Sequence, residues 1–462
     1  MIDTQAIRKK ILDLALRGKL TEQLPEDGTA VELYQRIQQE KSFQKKAGKR
    51  KNDEPDASSA QRDIPFELPS SWMWVEIGEI FTLQAGKNIT ADRIADKQSD
   101  LYSYPCYGGN GLRGFVEQYN TSGLHALIGR QGALCGNINF AEGDFYATEH
   151  AVVVDVYAET DTIWAGLFLR ALNLNQYATS VAQPGLAVNR IEKVRIPLPP
   201  ILEQKRIVEK IESSYSVLDT IDTLQSQYQD NLATLKSKII DAGIQGRLTE
   251  QLPEDGTAEE LYQQIQQEKL ALEKAGKIKK SKPLPPISEE EKPFDIPNNW
   301  KWVRIASVGT TTTGGTPSKE HPEYYGGDYP FYKPSDLDRG HHITKASEYL
   351  TESGKEESRQ LPKGSLLVCC IGSIGKCAII DKDGTANQQI NALSPIICDS
   401  DYLLYAIDNN AFKHQLNQGS RATTVSIINK SKFDNCIIPL PPLAEQKRIV
   451  AKLEELLPLC EG

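Results

Sequence analysis

The chain has 462 residues, 39% hydrophobic and 25% charged, an ordinary composition for a globular protein with room for roughly two to four domains. A net charge of −9 argues against a uniformly basic nucleic-acid binder, although lysine and arginine can still gather on one face. No stretch approaches the ~20 apolar residues that span a bilayer, the amino terminus reads as an amphipathic segment rather than a signal peptide, and eight cysteines without a CxxC pair fit reduced cytosolic thiols.

The first expected element is a helix over IRKKILDLALRGKL from Ile7, which turns out at Leu20 after Gly18. A second helix is predicted over Ala30–Lys46, followed by the charged linker AGKRKNDEPDASSAQRD from Ala47 and the pair Trp72-Met73-Trp74. The next stretch alternates apolar and small residues between Gly, Asn and Pro breaks, as in HALIGRQGALCGNINFAEGDFYATEHAVVVDV from His125, and predicts short strands. A helical segment over Ile163–Tyr177 precedes the exit at IPLPP from Ile196. Beyond Pro200, which suits the first turn of a helix, Val208, Ile211, Tyr215, Leu218, Ile221, Leu224, Tyr228, Leu232, Leu235 and Ile239 recur in steps of three or four. That heptad seam predicts some 40 residues of helix, a rod of about 60 Å.

Then the chain repeats itself. Residues 18–41 and 246–269 differ at three positions only: Lys19/Arg247, Val31/Glu259 and Arg36/Gln264. A helix over Ala258–Lys274, the linker AGKIKKSKPLPPISEEEK from Ala275 and Trp300-Lys301-Trp302 follow in the same order. The tryptophan pairs are 228 residues apart and the IPLPP blocks 242 apart, so the second insert is 14 residues longer than the first. It carries GSLLVCCIGSIGKCAIIDKDGTANQQINALSPII from Gly364, in which ANQQIN stands where the first insert has ATEHAV, and a helical stretch over Tyr402–Leu416. Each insert is read as an α+β domain, both of one fold. The carboxyl-terminal copy stops after half a rod, and IRKKILDLALRGKL at the amino terminus matches LKSKIIDAGIQGRL from Leu235. If the two half-rods complement the central one, the result is a pseudo-twofold ring in which long antiparallel helical spacers join the two domains. The expected boundaries are 1–70 for a half-spacer, second helix and linker, 71–197 for the first domain, 198–298 for the central helical spacer and linker, 299–439 for the second domain and 440–462 for the closing half-spacer.

Few residues suggest chemistry of their own. Cys369 and Cys370 alternate in an apolar run and read as core, and His341-His342 reads as a solvated turn. Gly109-Asn-Gly-Leu-Arg-Gly114 lacks the strand before and the helix after that a dinucleotide site needs, and reads as a loop. Gly372-Ser-Ile-Gly-Lys376 is too short for a P-loop, and Asp336 with Asp338 lacks a third metal ligand and reads as turn-making. Trp72, Trp74, Trp300 and Trp302, fixed at each domain entry, are expected to pack rather than stack on a ligand.

Taken together, Leu198-Pro-Pro with Glu203-Gln-Lys-Arg-Ile-Val and Leu440-Pro-Pro with Glu445-Gln-Lys-Arg-Ile-Val resemble the frame of a specificity subunit of a type I restriction-modification system. So do YPCYGGNGLRG from Tyr104 and GRQGALCGN from Gly129 in the first insert, and TGGTPSKEHPEYYGGDYPFYKPSDL from Thr313 and TANQQI from Thr385 in the second. The resemblance covers essentially the whole chain. It implies two target-recognition domains reading an asymmetric bipartite site in double-stranded DNA, with the rod length setting the gap. It also implies partners: two modification subunits that methylate adenine N6, and motor-nuclease restriction subunits. No catalytic residue, metal or cofactor is expected in this chain, which has no Asn/Asp-Pro-Pro-aromatic methyltransferase motif; S-adenosylmethionine, ATP and Mg2+ are implied for the partners, and a cytoplasmic location for the whole.

Base edges are usually read by Arg, Asn and Gln, and phosphates by Lys, Ser and Thr. Loop residues of these types are Lys87, Asn110, Arg113, Arg130, Gln131, Asn189 and Arg190 in the first domain. In the second they are Lys319, Lys333, Arg339, Ser373, Lys376, Gln388, Arg421 and Thr424. Arg130 and Arg421 are the two whose loss is expected to weaken duplex binding. Two other readings compete: a helical scaffold whose inserts bind protein or glycan, and a self-contained methyltransferase or nuclease, which bound S-adenosylmethionine would reveal.

Overall fold

The computed structural model describes residues 1–46, 66–132, 134–178, 185–418 and 427–461. The chain divides into two compact units, Met1–Ser226 and Gln227–Gly462. One helix contributes to both.

In the first unit, helix α1 (Thr4–Leu16) is capped by Asp3, and α2 (Ala30–Lys46) starts where expected. Thr29 and Glu32 close the start of α2 reciprocally, at 3.4 and 3.3 Å, the pairing that a T-x-x-E sequence allows. The insert then forms β1 (Met73–Glu76), α3 (Ile77–Ile80), β2 (Thr82–Ala85), β3 (Tyr104–Gly108), β4 (Gly111–Val116), β5 (Thr121–Ser122), β6 (His125–Gly129), β7 (Ile138–Ala141), β8 (Asp144–Ala147) and β9 (Ala151–Asp155). Helices α4 (Thr162–Ala171) and α5 (Val188–Ile191) follow, then β10 (Arg195–Leu198) and α6 (Ile201–Ile244), which begins directly after Pro200. The strands form a β1–β10 pair and two four-stranded sheets, ordered β2-β9-β6-β7 and β4-β3-β8-β5. Trp164 and Phe168 of α4 are fully buried with Phe81, Ile128 and Val152 between that helix and the first sheet.

The second unit repeats the plan. Helix α7 (Ala258–Lys274) leads to β11 (Lys301–Arg304), β12 (Gly309–Thr313), β13 (Tyr325–Tyr332), β14 (His342–Ile343), β15 (Glu348–Leu350), α8 (Glu352–Glu356), β16 (Leu366–Cys369), β17 (Cys377–Ile380), β18 (Thr385–Ala386) and β19 (Ile390–Pro395). Helices α9 (Ser400–Asp408), α10 (Asn410–Asn417) and α11 (Lys430–Asn435) precede β20 (Ile437–Leu440) and α12 (Leu443–Leu456). Its sheets run β11–β20, β12-β19-β16-β17-β14 and β15-β13-β18. The parallel pair Tyr107↔Ala147 in one unit matches Tyr332↔Ala386 in the other, so both inserts share one α+β fold. The helical tails pack on α6 within their own units. In the first, Thr4 bonds Asp222 at 2.6 Å and Arg8 bonds Asp219 at 2.8 Å, an antiparallel pairing. In the second, Gly243 lies against Ile449 and Leu453 of α12.

The repeated Glu-Gln-Lys-Arg sequence has a specific physical role. Glu203 is completely buried and accepts from the Trp72 indole Nε1 at 2.7 Å, Thr21 Oγ1 at 2.9 Å and Gln23 Nε2 at 2.9 Å. Glu445 does the same for Trp300, Thr249 and Gln251 at 2.8, 3.2 and 2.9 Å. Gln204, also buried, donates to the Pro199 carbonyl and accepts from the Asp161 amide, and Asp161 in turn caps α4; Gln446, Pro441 and Asp399 repeat this at α9. Arg206 grips Asp27 and Arg448 grips Asp255, holding both carboxyls below the usual range. Lys41 and Lys269 bind carbonyls of the turn after the entry strand. Trp74 and Trp302 pack on Phe66 and Phe294, so all four entry tryptophans serve packing. The two units differ next to this frame: Arg304 holds the Pro285 and Pro286 carbonyls and Glu291 of the preceding linker, and position 76 of the first unit is a glutamate.

Cys369 and Cys370 are core residues. His342 is exposed as expected but lies in β14 rather than a turn, and its ring nitrogens stand 3.0 Å from Asp381 and 2.7 Å from Asp401. Burial alone lowers its pKa, and the bonds to the two carboxylates outweigh that and raise it, whereas burial dominates at His341 and lowers it.

Two predictions follow from these contacts. Glu203→Ala and Glu445→Ala each strand buried donors and lower the unfolding free energy by about 1–3 kcal/mol, read as an earlier urea midpoint, while the exposed neighbour Lys205→Ala leaves it unchanged. In a pH titration by NMR, His342 retains its proton to higher pH than His341. The stabilisation from that proton is complete below the unfolded histidine value, about 6.5, and is lost as pH rises through the raised folded value, a loss absent in His342→Gln.

Candidate nucleic-acid interface

In the first unit, β3 and β4 are joined by the two-residue turn Gly109-Asn110, with a register shift between Cys106 and Tyr107. The turn lies against the chain leaving β6. A Cβ on Gly109 would stand 3.2 Å from the carbonyl oxygens of Gln131 and His150, and one on Gly129 would stand 2.0 Å from the Gly109 oxygen, so this approach of backbone to backbone requires glycine. It leaves a cleft of about 770 Å3 between hairpin residues 108–113 and Gln131, Gly132, His150 and Gly185. Among the described residues Arg113 is its one lining cation and no carboxylate lines it, in a chain whose net charge is −9. His150 Nδ1 is buried with no hydrogen-bond partner among the described residues.

Three of the sequence-selected residues converge here: Asn110, Arg113 and Gln131. All three side chains are exposed and make no hydrogen bond among the described residues. Lys87 stands at the end of β2, its backbone bridged to Thr148 and its side chain exposed. The Arg130 Nε donates to the Leu186 carbonyl at 3.2 Å and braces the returning chain. Asn189 and Arg190 are exposed on α5, outside the lining of the cleft.

The second unit uses most of its chosen cations internally. Lys333 Nζ is 2.8 Å from Glu348 and sits over the Phe331 ring, Arg339 pairs with Asp336 at 3.2 Å, and Lys376 lies 2.5 Å from Asp338. Gln388 accepts from Thr316, while Lys319 and Ser373 are exposed. Arg421 and Thr424 lie outside the described residues. His150 escaped the residue-type search; its only signal was the ATEHAV block opposite ANQQIN. Asp336 accepts from the Lys333 amide at 2.8 Å, the turn-making role expected of it, and no group of three or more metal-ligating side chains occurs among the described residues.

The two inserts build this region on one backbone frame. The Arg130 amide donates to the His150 carbonyl at 2.8 Å and Leu186 to the Arg130 carbonyl at 2.9 Å. Cys370 donates to Gln389 at 2.8 Å and Ile428 to Cys370 at 2.9 Å. The frames then carry different loops. After Tyr107 the first insert makes its glycine hairpin, and after the matching Tyr332 the second enters a 3-10 helix, Pro334–Arg339.

A family model for the type I restriction modification DNA specificity domain matches residues 69–227 and 297–460, more than half of the chain. The EcoprrI specificity subunit of Escherichia coli is 47% identical over 148 residues, a match spanning 32% of this chain and 35% of that protein. The EcoEI specificity subunit of the same organism is 26% identical across 98% of this chain and 89% of its own length. Among solved structures, a chain from a study of complex assembly and conformational transition of the type I R-M system aligns with a TM-score of 0.57 at 19% identity, covering 86% of this chain and 93% of its own, a likeness of fold.

Gly129→Ala tests the packed hairpin. The added methyl drives Gly109 away, costs about 1–3 kcal/mol of stability and alters the cleft, read as a lower thermal midpoint and faster amide exchange at residues 108–113.

Proposed function

The chain belongs to the type I restriction-modification DNA specificity family, and we propose that it is the non-catalytic specificity chain of such a complex, reading an asymmetric bipartite duplex with one half-site per insert. One observation carries this reading. The same buried Trp–Glu–Gln socket holds two inserts whose loops differ over a common backbone frame, so the part held constant is structural and the part varied is what meets the ligand. In the first insert the varied part is a cleft lined by Arg113 and by the amides of Asn110 and Gln131, side chains without a hydrogen bond among the described residues and suited to base edges and phosphates.

The frame also offers two copies of one surface. Lys205 and Lys447, the third residue of each Glu-Gln-Lys-Arg block, are exposed and without a hydrogen bond or ion pair among the described residues, although their three neighbours are all engaged. Glu22 and Glu26 with Pro25, repeated as Glu250 and Glu254 with Pro253, are exposed on the adjacent turn. Two identical surfaces suit two copies of one partner, and in this reading that partner is the modification subunit. Restriction subunits complete the assembly, S-adenosylmethionine, ATP and Mg2+ belong to the partners, and the complex works on cytoplasmic DNA. No described helix is long and apolar enough to cross a membrane.

Single-molecule methylation sequencing of cells carrying the chain with its modification subunit tests the reading. An asymmetric bipartite adenine motif that requires both proteins is expected, and exchanging residues 71–197 for another insert changes one half of it; absence of any motif despite a soluble complex sinks the proposal. For the docking surface, native mass spectrometry is expected to show two modification subunits on the wild-type chain, one on Lys205→Glu or Lys447→Glu, and none on the double variant.

A further inference from the structure

The shared frame identifies one position at which the two inserts make opposite chemical choices. Directly after the matched residues Arg130 and Cys370, each unit forms an isolated antiparallel bridge, Gln131↔Gly185 in the first and Ile371↔Ile427 in the second. The surrounding bonds agree: Gly136 donates to Gly129 at 2.7 Å and Gly375 to Cys369 at 2.9 Å, closing a short glycine loop beside the bridge in both. In the first unit this position presents an amide with no hydrogen-bond partner among the described residues, opposite a residue without a side chain and next to Arg113 and Asn110. In the second it presents two β-branched apolar side chains, and Ile427 is 61% exposed.

Nothing in folding asks for either choice. An exposed isoleucine on a loop gains little from burial in its own unit, and a glutamine aimed into a cleft satisfies no buried donor. Both choices suit the edge of an A·T pair, which offers adenine N6 and N7 to an amide and the thymine methyl to an apolar side chain. We infer that this bridge is a base-reading position in each insert: Gln131 bonds an adenine edge in the half-site of the first unit, and Ile427 with Ile371 covers a thymine methyl in the half-site of the second. The inference rests on the specificity-chain reading above and assigns the recognition within it.

The test uses the full chain with its modification subunit on duplexes carrying the wild-type motif, each position substituted in turn. Gln131→Ala is expected to lose roughly tenfold or more of its discrimination at one A·T pair of one half-site, with the other half-site unchanged. Ile427→Ala loses it at one A·T pair of the other half-site. Uracil in place of thymine at that second pair weakens the wild-type complex as much as Ile427→Ala does and does not weaken the variant further, while 7-deazaadenine does the same at the first pair for Gln131→Ala. Both side chains are exposed, and an unchanged melting temperature for each variant keeps a folding defect apart from a reading defect. Unaltered preference at every position in both variants, or relaxation confined to G·C pairs, overturns the inference while leaving the wild-type motif standing. Failure of the wild-type complex to show any bipartite motif removes the specificity-chain reading itself.

Discussion

Glu203 and Glu445 are the points on which each unit depends. A carboxylate without solvent access is costly unless donors surround it, and each of these has three, from a tryptophan indole, a threonine hydroxyl and a glutamine amide. Those donors come from the turn after the helical segment and from the residue just before the strand entering the insert, while the carboxylate comes from the first turn of the helix leaving it. Three distant stretches of sequence are thereby fixed to one another at both ends of the insert. The adjacent glutamine adds a fourth stretch, because its side chain spans the Pro-Pro carbonyl and the capping aspartate of the insert's own helix.

This arrangement places few demands on the insert. It must supply an entry strand that pairs with the exit strand, an aspartate where its helix begins, and a sheet to cover that helix. Everything beyond the sheet edge is free to change. That freedom is in use: a hairpin follows Tyr107 and a 3-10 helix follows Tyr332 on the same backbone frame, and the second insert is 14 residues longer without altering its socket.

Much of this was readable from sequence because it rests on periodicity and repetition. The heptad spacing from Val208 gave α6, the repeated block 18–41 and 246–269 carried the helices α2 and α7, and the duplicated tryptophans announced a packing role that the indole–Glu bonds explain. Residue type alone was a weaker guide to the interface. Arg130 and Gln131 are adjacent and both were selected by residue type, yet one braces a carbonyl and the other faces the cleft, because neighbours on a bridged segment point to opposite sides. Lys333, Arg339 and Lys376 were chosen as DNA contacts and are paired with Glu348, Asp336 and Asp338. Ile427 carried no signal in the sequence at all, since an apolar residue in a loop attracts notice only when its exposure is known.

The charge balance separates recognition from affinity. Phosphate neutralisation supplies most of the strength of duplex binding and scales with the number of free cations presented. The cleft of the first unit offers Arg113, and three of the candidate cations of the second unit are already neutralised by carboxylates of that unit. Net charge of −9 adds a repulsive background to any polyanion. Within the proposed reading, a neutral amide such as Gln131 would add discrimination that depends on base identity more than on salt, while phosphate contacts would carry the salt-dependent affinity. The duplicated frame and the unlike inserts fit the same reading: two equal surfaces beside two loops that differ.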